Sequence, residues 1–291
     1  MLAHVLAATD GSEASDRLVE CVLGLRRVGS TLVVLAHVFD PREVGGLYDD
    51  LRTRLQPRFD AQERALREAG FDVVVETPLG VPYDELNRLG DEYATSLLVV
   101  GSAQHSLAGE ALLGSTACAI LRNASRPVLL LRLATVQDGQ GHERCRAACD
   151  DIFRDALYAT DFSDAAARAL DYLEHVVRQR RSRVTLLHVQ DKARIEPHLV
   201  HRLEEFNRID AERLAAMAAR LRAAGASDAK PEILYGSPTA LIAERARDAE
   251  LSLLVIGSQG RGFVRELFLG GVAHSLAHIA PLPVLFVPTP R

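Results

Sequence analysis

The sequence predicts an α/β protein made of two tandem open parallel sheets of five strands, each with helices on both faces in the Rossmann-like manner. Three observations predict it. Short apolar runs that stop at glycine alternate with stretches whose apolar residues fall at helical spacing. One such run, Leu253-Leu254-Val255-Ile256-Gly257-Ser258, is echoed by Leu97-Leu98-Val99-Val100-Gly101-Ser102, and a further glycine follows each run's glycine 13 positions on, at Gly270 and Gly114. Finally, the echo extends along the whole chain of 291 residues, so the fold is made twice.

The first half reads in order. Residues 4–9 form a short apolar strand that Asp10-Gly11-Ser12 ends, and Ser12 is placed to cap the next helix. Leu18, Val22 and Leu25 share one helical face, and Gly29-Ser30 closes that helix. Thr31 to Val38 is a second strand. Pro41, Gly45 and Gly46 make the first part of 40–56 a loop, and a helix is expected from about Arg58 to Ala69, stopped by Gly70. Phe71 to Glu76 is the third strand, and Pro78 to Pro82 is a turn. Leu86, Leu89 and Tyr93 mark a helix, Leu97 to Val100 the fourth strand, and 101–113 a loop. A helix from Ser115 to about Asn123 and a wholly apolar strand from Pro127 to Arg132 complete a βαβαβαβαβ order, which calls for a parallel sheet.

The second half follows the first. Asp10 is answered by Asp161 and His37-Val38 by His188-Val189, both at an offset of 151. Gly80 and Pro82, Gly101, Gly114 and Pro127 are answered by Gly236 and Pro238, Gly257, Gly270 and Pro283, all at 156. One five-residue length change between strands two and three accounts for every landmark. The domains are therefore 1–133 and 151–291, and 134–150, with Gln137-Asp138-Gly139-Gln140-Gly141, reads as a linker.

Composition narrows the function. With 25% charged residues and no apolar run near the roughly 18 residues of a membrane span, the chain reads as soluble and without a membrane partner. The N-terminus lacks the charged and long apolar regions of a signal peptide, and four Cys are too few for a disulfide scaffold, so a cytoplasmic location is expected. The net charge of −5 argues against nucleic acid as a partner. It is uneven, with −5 in 1–133, −1 in 134–150 and +1 in 151–291, so an anion meets less repulsion in the second half. Neither Lys192 nor Lys230 follows a Gly-x-x-x-x-Gly, which excludes a P-loop ATPase.

Each half places two features at the carboxyl ends of strands: an Asp after strand one and a glycine loop after strand four. In a 3-2-1-4-5 sheet these strands are neighbours at the switch point, where open α/β sheets bind ligands. A carboxylate can accept hydrogen bonds from ribose hydroxyls, and glycines before a helix N-terminus let backbone N–H groups approach phosphate. Together they describe a nucleotide site. The alternative is that Asp10 and Asp161 only shape turns and the glycines only make loops.

These motifs resemble the universal stress protein family. The resemblance rests on Ala159-Thr160-Asp161-Phe162-Ser163, His188-Val189, Gly236-Ser237-Pro238, Gly257-x2-Gly260-x9-Gly270 and the closing run Pro283 to Val287, and it covers both halves. It implies an adenine nucleotide alpha hydrolase-like fold, the two halves packed as an internal pseudo-dimer, and ATP, with Mg2+, as the ligand. By that likeness the contacts in the second domain fall to Ala159, Asp161, Val189, Gly257, Gly260, Gly270 and Gly271. In the first they fall to Asp10, Val38, Gly101, Gly114 and Ser115. Each half departs from the pattern: Gln104 stands where the first domain's second glycine belongs, and Gly271 where the second domain's Ser or Thr belongs. A lost hydroxyl costs one hydrogen bond, whereas a side chain in the loop intrudes on phosphate, so the second domain is the favoured site.

The resemblance implies a stress-response protein with protein partners and room for a further homodimer. Two other readings compete with nucleotide binding: an interaction module that binds no nucleotide, and a slow ATP hydrolase. No residues assemble an acid, base and nucleophile, so no catalytic residue is assigned. His142, Cys145 and Cys149 fall at helical spacing, but a fourth metal ligand is not evident and no metal is assigned. His37 and His188 read as structural, and Arg178, Arg180, Arg181 and Arg183 as a solvated helix end.

Overall fold

The computed structural model describes residues 2–103, 113–137, 143–147, 151–196, 198–260 and 269–289, with backbone alone at 103, 134–137 and 143–147. Two compact units divide the chain between Asp150 and Asp151.

The first unit runs β1 (His4–Ala8), α1 (Glu13–Leu23), β2 (Leu32–Ala36), α2 (Pro41–Val44), α3 (Tyr48–Glu68), β3 (Asp72–Glu76), α4 (Pro82–Glu92), β4 (Leu97–Ala103), α5 (Ser115–Asn123), β5 (Val128–Gln137) and β6 (Glu143–Ala147). Its strands lie in the order β3-β2-β1-β4-β5, all parallel, with β6 antiparallel to β5. The second unit runs β7 (Asp155–Ala159), α6 (Asp164–Arg180), β8 (Arg183–Asp191), α7 (Lys192–Ile195), α8 (Leu203–Ala224), β9 (Asp228–Gly236), α9 (Pro238–Arg245), β10 (Leu253–Gly257), α10 (Gly271–Ile279) and β11 (Val284–Val287). Its order is β9-β8-β7-β10-β11, again parallel throughout. Both units therefore have the 3-2-1-4-5 order, in which strands one and four are neighbours.

The strands are apolar at nearly every position because both sheet faces are covered. Val5, Leu6, Ala7 and Val99 are fully buried in the first unit, as are Leu157, Tyr158, Leu254 and Val255 in the second. Helices pair across the faces, α1 beside α3 and α4 beside α5, then α6 beside α8 and α9 beside α10. Ser12 and Ser163 start α1 and α6 by accepting from the backbone N–H of Ser15 and Ala166, as capping requires.

Three segments differ from the sequence reading. The helix expected from Arg58 starts at Tyr48 and carries Pro57 inside it. Leu51, Leu55 and Phe59 continue one face through that proline, and Asp40 with Pro41 at N1 makes α2 a separate turn. The proline leaves one carbonyl without its helical donor, a local cost that tertiary packing overrides. The fifth strand runs on to Gln137, and 143–147 returns antiparallel, so part of 134–150 is hairpin rather than linker. Thr135 and Val136 are β-branched and suit a strand. Cys145 consequently sits on a strand, not on a helix with His142 and Cys149, which lie outside the described residues. Cys118 is a free thiol, whereas Cys21 is disulfide-bonded, which is more than the cysteine count suggested.

Among the described residues buried arginines, Arg126 and Arg132, occur in the first unit alone. Arg126 is 8% exposed, and its guanidinium donates to Thr95 O (2.9 Å), Asn87 O (3.1 Å) and Asp91 Oδ1 (2.6 Å). It lies directly against Gly90 of α4, where a Cβ would fall 2.6 Å from its Nε. The matching pair in the second unit is Ala246 and Leu282, at the same offset of 156. Gly90→Ala should gain helix propensity of about 1 kcal/mol. It should nonetheless destabilise the protein, because displacing a buried guanidinium from its acceptors costs about 2–3 kcal/mol. Urea unfolding checks the sign: a net loss of about 1–2 kcal/mol is expected, and a gain would show that Arg126 relocates freely.

Candidate functional site

In the second unit β7, β8 and β10 end side by side. Asp161 follows β7, and its Oδ1 accepts from Ser163 N–H at 3.0 Å, shaping the turn into α6. The turn role and a ligand role are compatible, because the second carboxylate oxygen points elsewhere: a Cβ built on Gly260 would lie 2.7 Å from Asp161 Oδ2. Asp161 and the glycine loop therefore share one place. A second tie joins the two loops, since Ser163 Oγ donates to Gln259 O at 3.3 Å. Gly270 adjoins them, its Cβ position lying 3.6 Å from Gly260 N.

The loop closes on itself through backbone. Gly270 N–H donates to Ser258 O at 2.7 Å, and His274 N–H makes the first helical bond to Gly270 O at 2.8 Å. Gly270 thus spends its own amide, and the N–H groups left over by the helix are those of Gly271, Val272 and Ala273. Among the described residues nothing stands within 4 Å of a Cβ at Gly271. The buried Ser258 has no hydrogen-bond partner for its Oγ among the described residues.

Close contact, and not a left-handed backbone, requires glycine at 257 and 260. None of Gly257, Gly260, Gly270, Gly271, Gly101 and Gly114 has a positive φ. At Gly260 the constraint is Asp161, whose Oδ2 a Cβ would approach to 2.7 Å. At Gly257 the constraint is α6, because a Cβ would fall 2.8 Å from Ala166 N and 2.9 Å from Ala165 C. Tyr158 beneath it donates to Ala166 O at 2.7 Å and so fixes α6 against the sheet; burial pushes its phenol up to about 12.

Val189 supplies an edge. Pairing between β7 and β8 stops at Ala159 and Leu187, where Thr160 N–H donates to Leu187 O at 2.9 Å. Beyond it β8 runs on to Asp191, paired with β9 alone. Alternate residues of a strand turn their N–H and C=O to opposite edges, so Val189 faces the same way as Leu187, over the end of β7. One donor and one acceptor are thereby presented above Ala159 and Asp161.

Around this edge sits a polar cluster that the sequence reading missed. His188 Nδ1–H donates to Thr160 O at 2.7 Å, and its Nε2 lies 3.4 Å from Asp210 Oδ2 on α8. Gln190 Nε2 donates to the same Oδ2 at 2.9 Å. Phe162 holds a left-handed φ of 60°, its ring centroid 4.5 Å from that of His188, with the Arg213 guanidinium 5.2 Å from the Phe162 ring. A left-handed Phe costs about 1–2 kcal/mol, so packing holds it there. The one hint in the sequence was the alternation of His188 and Gln190, which puts two polar side chains on one face of a buried strand.

The first unit has the same frame with different filling. Asp10 Oδ1 accepts from Ser12 N–H and Oγ–H, and His37 Nδ1–H donates to Thr9 O at 2.8 Å. Among the described residues no carboxylate is within ion-pair distance of His37: its ring lies 5.3 Å from Phe59 and 4.3 Å from Phe39, and burial lowers its pKa against the weaker pull of the Asp10 and Glu43 charges. Leu55 crowds Gly11, and Leu133 lies where a Gly101 side chain would project. Val38 presents the same edge as Val189, since Thr9 N–H ends the pairing at Ala36 O. Gly114 and Ser115 start α5, and Cys118 N–H bonds Gly114 O. Gln104 lies outside the described residues. Arg132 reaches Ser102 Oγ at 3.4 Å, and burial lowers its pKa to about 10.

These features define an open doubly wound α/β protein with a crevice at the switch point of each unit. The universal stress protein family matches residues 1–132 and again 153–288, and the chain belongs to that family as a tandem member. Universal stress protein YxiE of Bacillus subtilis is 29% identical over 147 residues, covering 47% of this chain and 99% of that protein. A universal stress protein of Mycolicibacterium smegmatis is 26% identical over 302 residues, 97% of this chain and 96% of its own. A universal stress protein from Archaeoglobus fulgidus shares the fold over 99% of both chains with a TM-score of 0.78 at 22% identity. Among the described residues no helix is long and apolar enough to cross a membrane.

Proposed function

We propose that the second unit binds an adenine nucleotide, ATP with Mg2+, in a stress-response role. The observation that carries this reading is the meeting of Asp161 with Gly260 and Gly270 at the ends of β7 and β10. Val189 N–H and C=O offer a donor and an acceptor to the edge of the base. The Asp161 carboxylate is placed for a ribose hydroxyl, with Ala159 as the floor beneath it. The phosphates lie along Gly257 to Gly260 and meet the N–H groups of Gly271 to Ala273, where the helix terminus favours negative charge. Gly271 adds no hydroxyl, and the cation would be held by phosphate oxygens and water. The residues bind and orient; among the described residues no group is positioned as a base, and the reading takes turnover to be slow at most.

A second reading applies to the first unit. There Leu55 packs against Gly11 and Leu133 against Gly101, and the alternative for that unit is an interaction module with protein as its partner. Calorimetric titration of the full chain with ATP and Mg2+ tests both. One nucleotide per chain is expected. No binding would overturn the nucleotide reading, and two per chain would overturn the assignment of the first unit.

A further inference from the structure

The residues that flank Val189 are both tied to one carboxylate. His188 and Gln190 project from the same face of β8, and each reaches Asp210 Oδ2, at 3.4 and 2.9 Å. All three are buried, His188 at 7%, Gln190 at 3% and Asp210 at 9% exposed. Asp210 comes from α8, twenty residues further on, so this contact is what fastens the free end of β8 to the helix. The fastening matters because β8 has neighbours on one side only past Leu187. A strand end paired on one edge frays unless side chains hold it. On its far side the carboxylate has Arg213 Nη1 at 3.9 Å, and that guanidinium also covers Phe162 over His188. The first unit secures the same strand end without charge, through Phe39, Phe59 and Tyr48 around His37.

We infer that Asp210 is a positioning residue for ligand binding in the second unit: it holds the Val189 edge at the height where the base is read. A buried carboxylate is a costly way to secure a strand, and removing it alone leaves the buried Gln190 and His188 side chains without that partner, which itself costs stability. Binding is therefore read beside stability, with Asp210→Asn as the variant that keeps a partner for both side chains. The inference rests on the adenine-nucleotide reading.

The test uses the full chain with Asp210→Leu and Asp210→Asn. Asn keeps an oxygen for Gln190 Nε2 and offers a donor to a singly protonated His188, so it preserves the clamp without charge. Asp210→Leu is expected to speed amide hydrogen exchange over 188–190 in the free protein, to weaken ATP binding about tenfold, and to lower the thermal midpoint while the protein stays folded at the titration temperature, because Gln190 loses its buried acceptor. Asp210→Asn is expected to restore both slow exchange and affinity to within about threefold of wild type. Unchanged affinity in Asp210→Leu, with ATP still bound by wild type, would overturn the inference and leave the nucleotide reading standing. Equal loss of affinity in both variants would also overturn it, since the charge and not the clamp would then be what counts. If wild type takes up no ATP, the nucleotide reading falls and this inference falls with it.

Discussion

Gly257→Ala is expected to destabilise the second unit by about 2–3 kcal/mol, the cost of overpacking a site that cannot yield. The atoms that the new Cβ would meet are backbone, Ala166 N at 2.8 Å and Ala165 C at 2.9 Å. They cannot rotate away, so either α6 lifts from the sheet or β10 retreats. Lifting α6 would also strain the Tyr158 hydrogen bond to Ala166 O. The equivalent Gly101 provides an internal control, because its neighbours are the side chains of Leu133 and Leu18, which can change rotamer. Gly101→Ala should cost about 1 kcal/mol or less. Two transitions, or one transition with a lowered midpoint, would be read by calorimetric scanning. Equal effects at the two glycines would mean that α6 tolerates displacement.

The second large effect is on ligand and leaves the fold intact. Gly260→Gln is expected to weaken ATP binding at least about tenfold, or 1.4 kcal/mol, with little change in unfolding midpoint. The Cβ would fall 2.7 Å from Asp161 Oδ2, the far end of a short side chain whose other oxygen is already engaged by Ser163 N–H. Asp161 must turn away, which removes its group from the ribose position, and the Gln side chain then occupies phosphate space. Gly271→Ser is the opposing case: no described residue crowds the position, and a hydroxyl would join N–H groups that already favour an anion. Its gain should be the smaller, since it replaces a water contact. Titration of both variants decides the matter; full affinity in Gly260→Gln would show that this loop is only a turn.

Much of the architecture was legible from periodicity. The short glycine-bounded runs, their duplication, and the helix-spaced residues between them placed the strands of both sheets and their parallel arrangement. Burial on both faces makes strands of this kind apolar throughout, and a repeat doubles every signal. Boundaries were less legible where local rules and packing disagree. Pro57 argues for a helix start, yet Leu51, Leu55 and Phe59 carry α3 through it, since a buried face outweighs one missing hydrogen bond. The return of 143–147 onto β5 was hidden because a polar, glycine-containing segment reads locally as a link, and its pairing is a tertiary matter.

The candidate site divides in the same way. By itself the sequence placed an Asp after strand one and a glycine loop after strand four, twice; alternation of elements is compatible with more than one strand order, and that these strands are neighbours is a matter of tertiary pairing, β1 with β4 and β7 with β10. Only the tertiary structure decided why the glycines are there. Gly257 answers to α6 and Gly260 to Asp161, across separations of about ninety residues or more that no local pattern reports. Only the tertiary structure, too, set His188 and Gln190 against Asp210 in one unit and His37 against Phe39 and Phe59 in the other. Sequence spacing specifies which face of an element a side chain is on; what meets that face depends on how a separate helix packs, and α3 and α8 bring different residues to the same level.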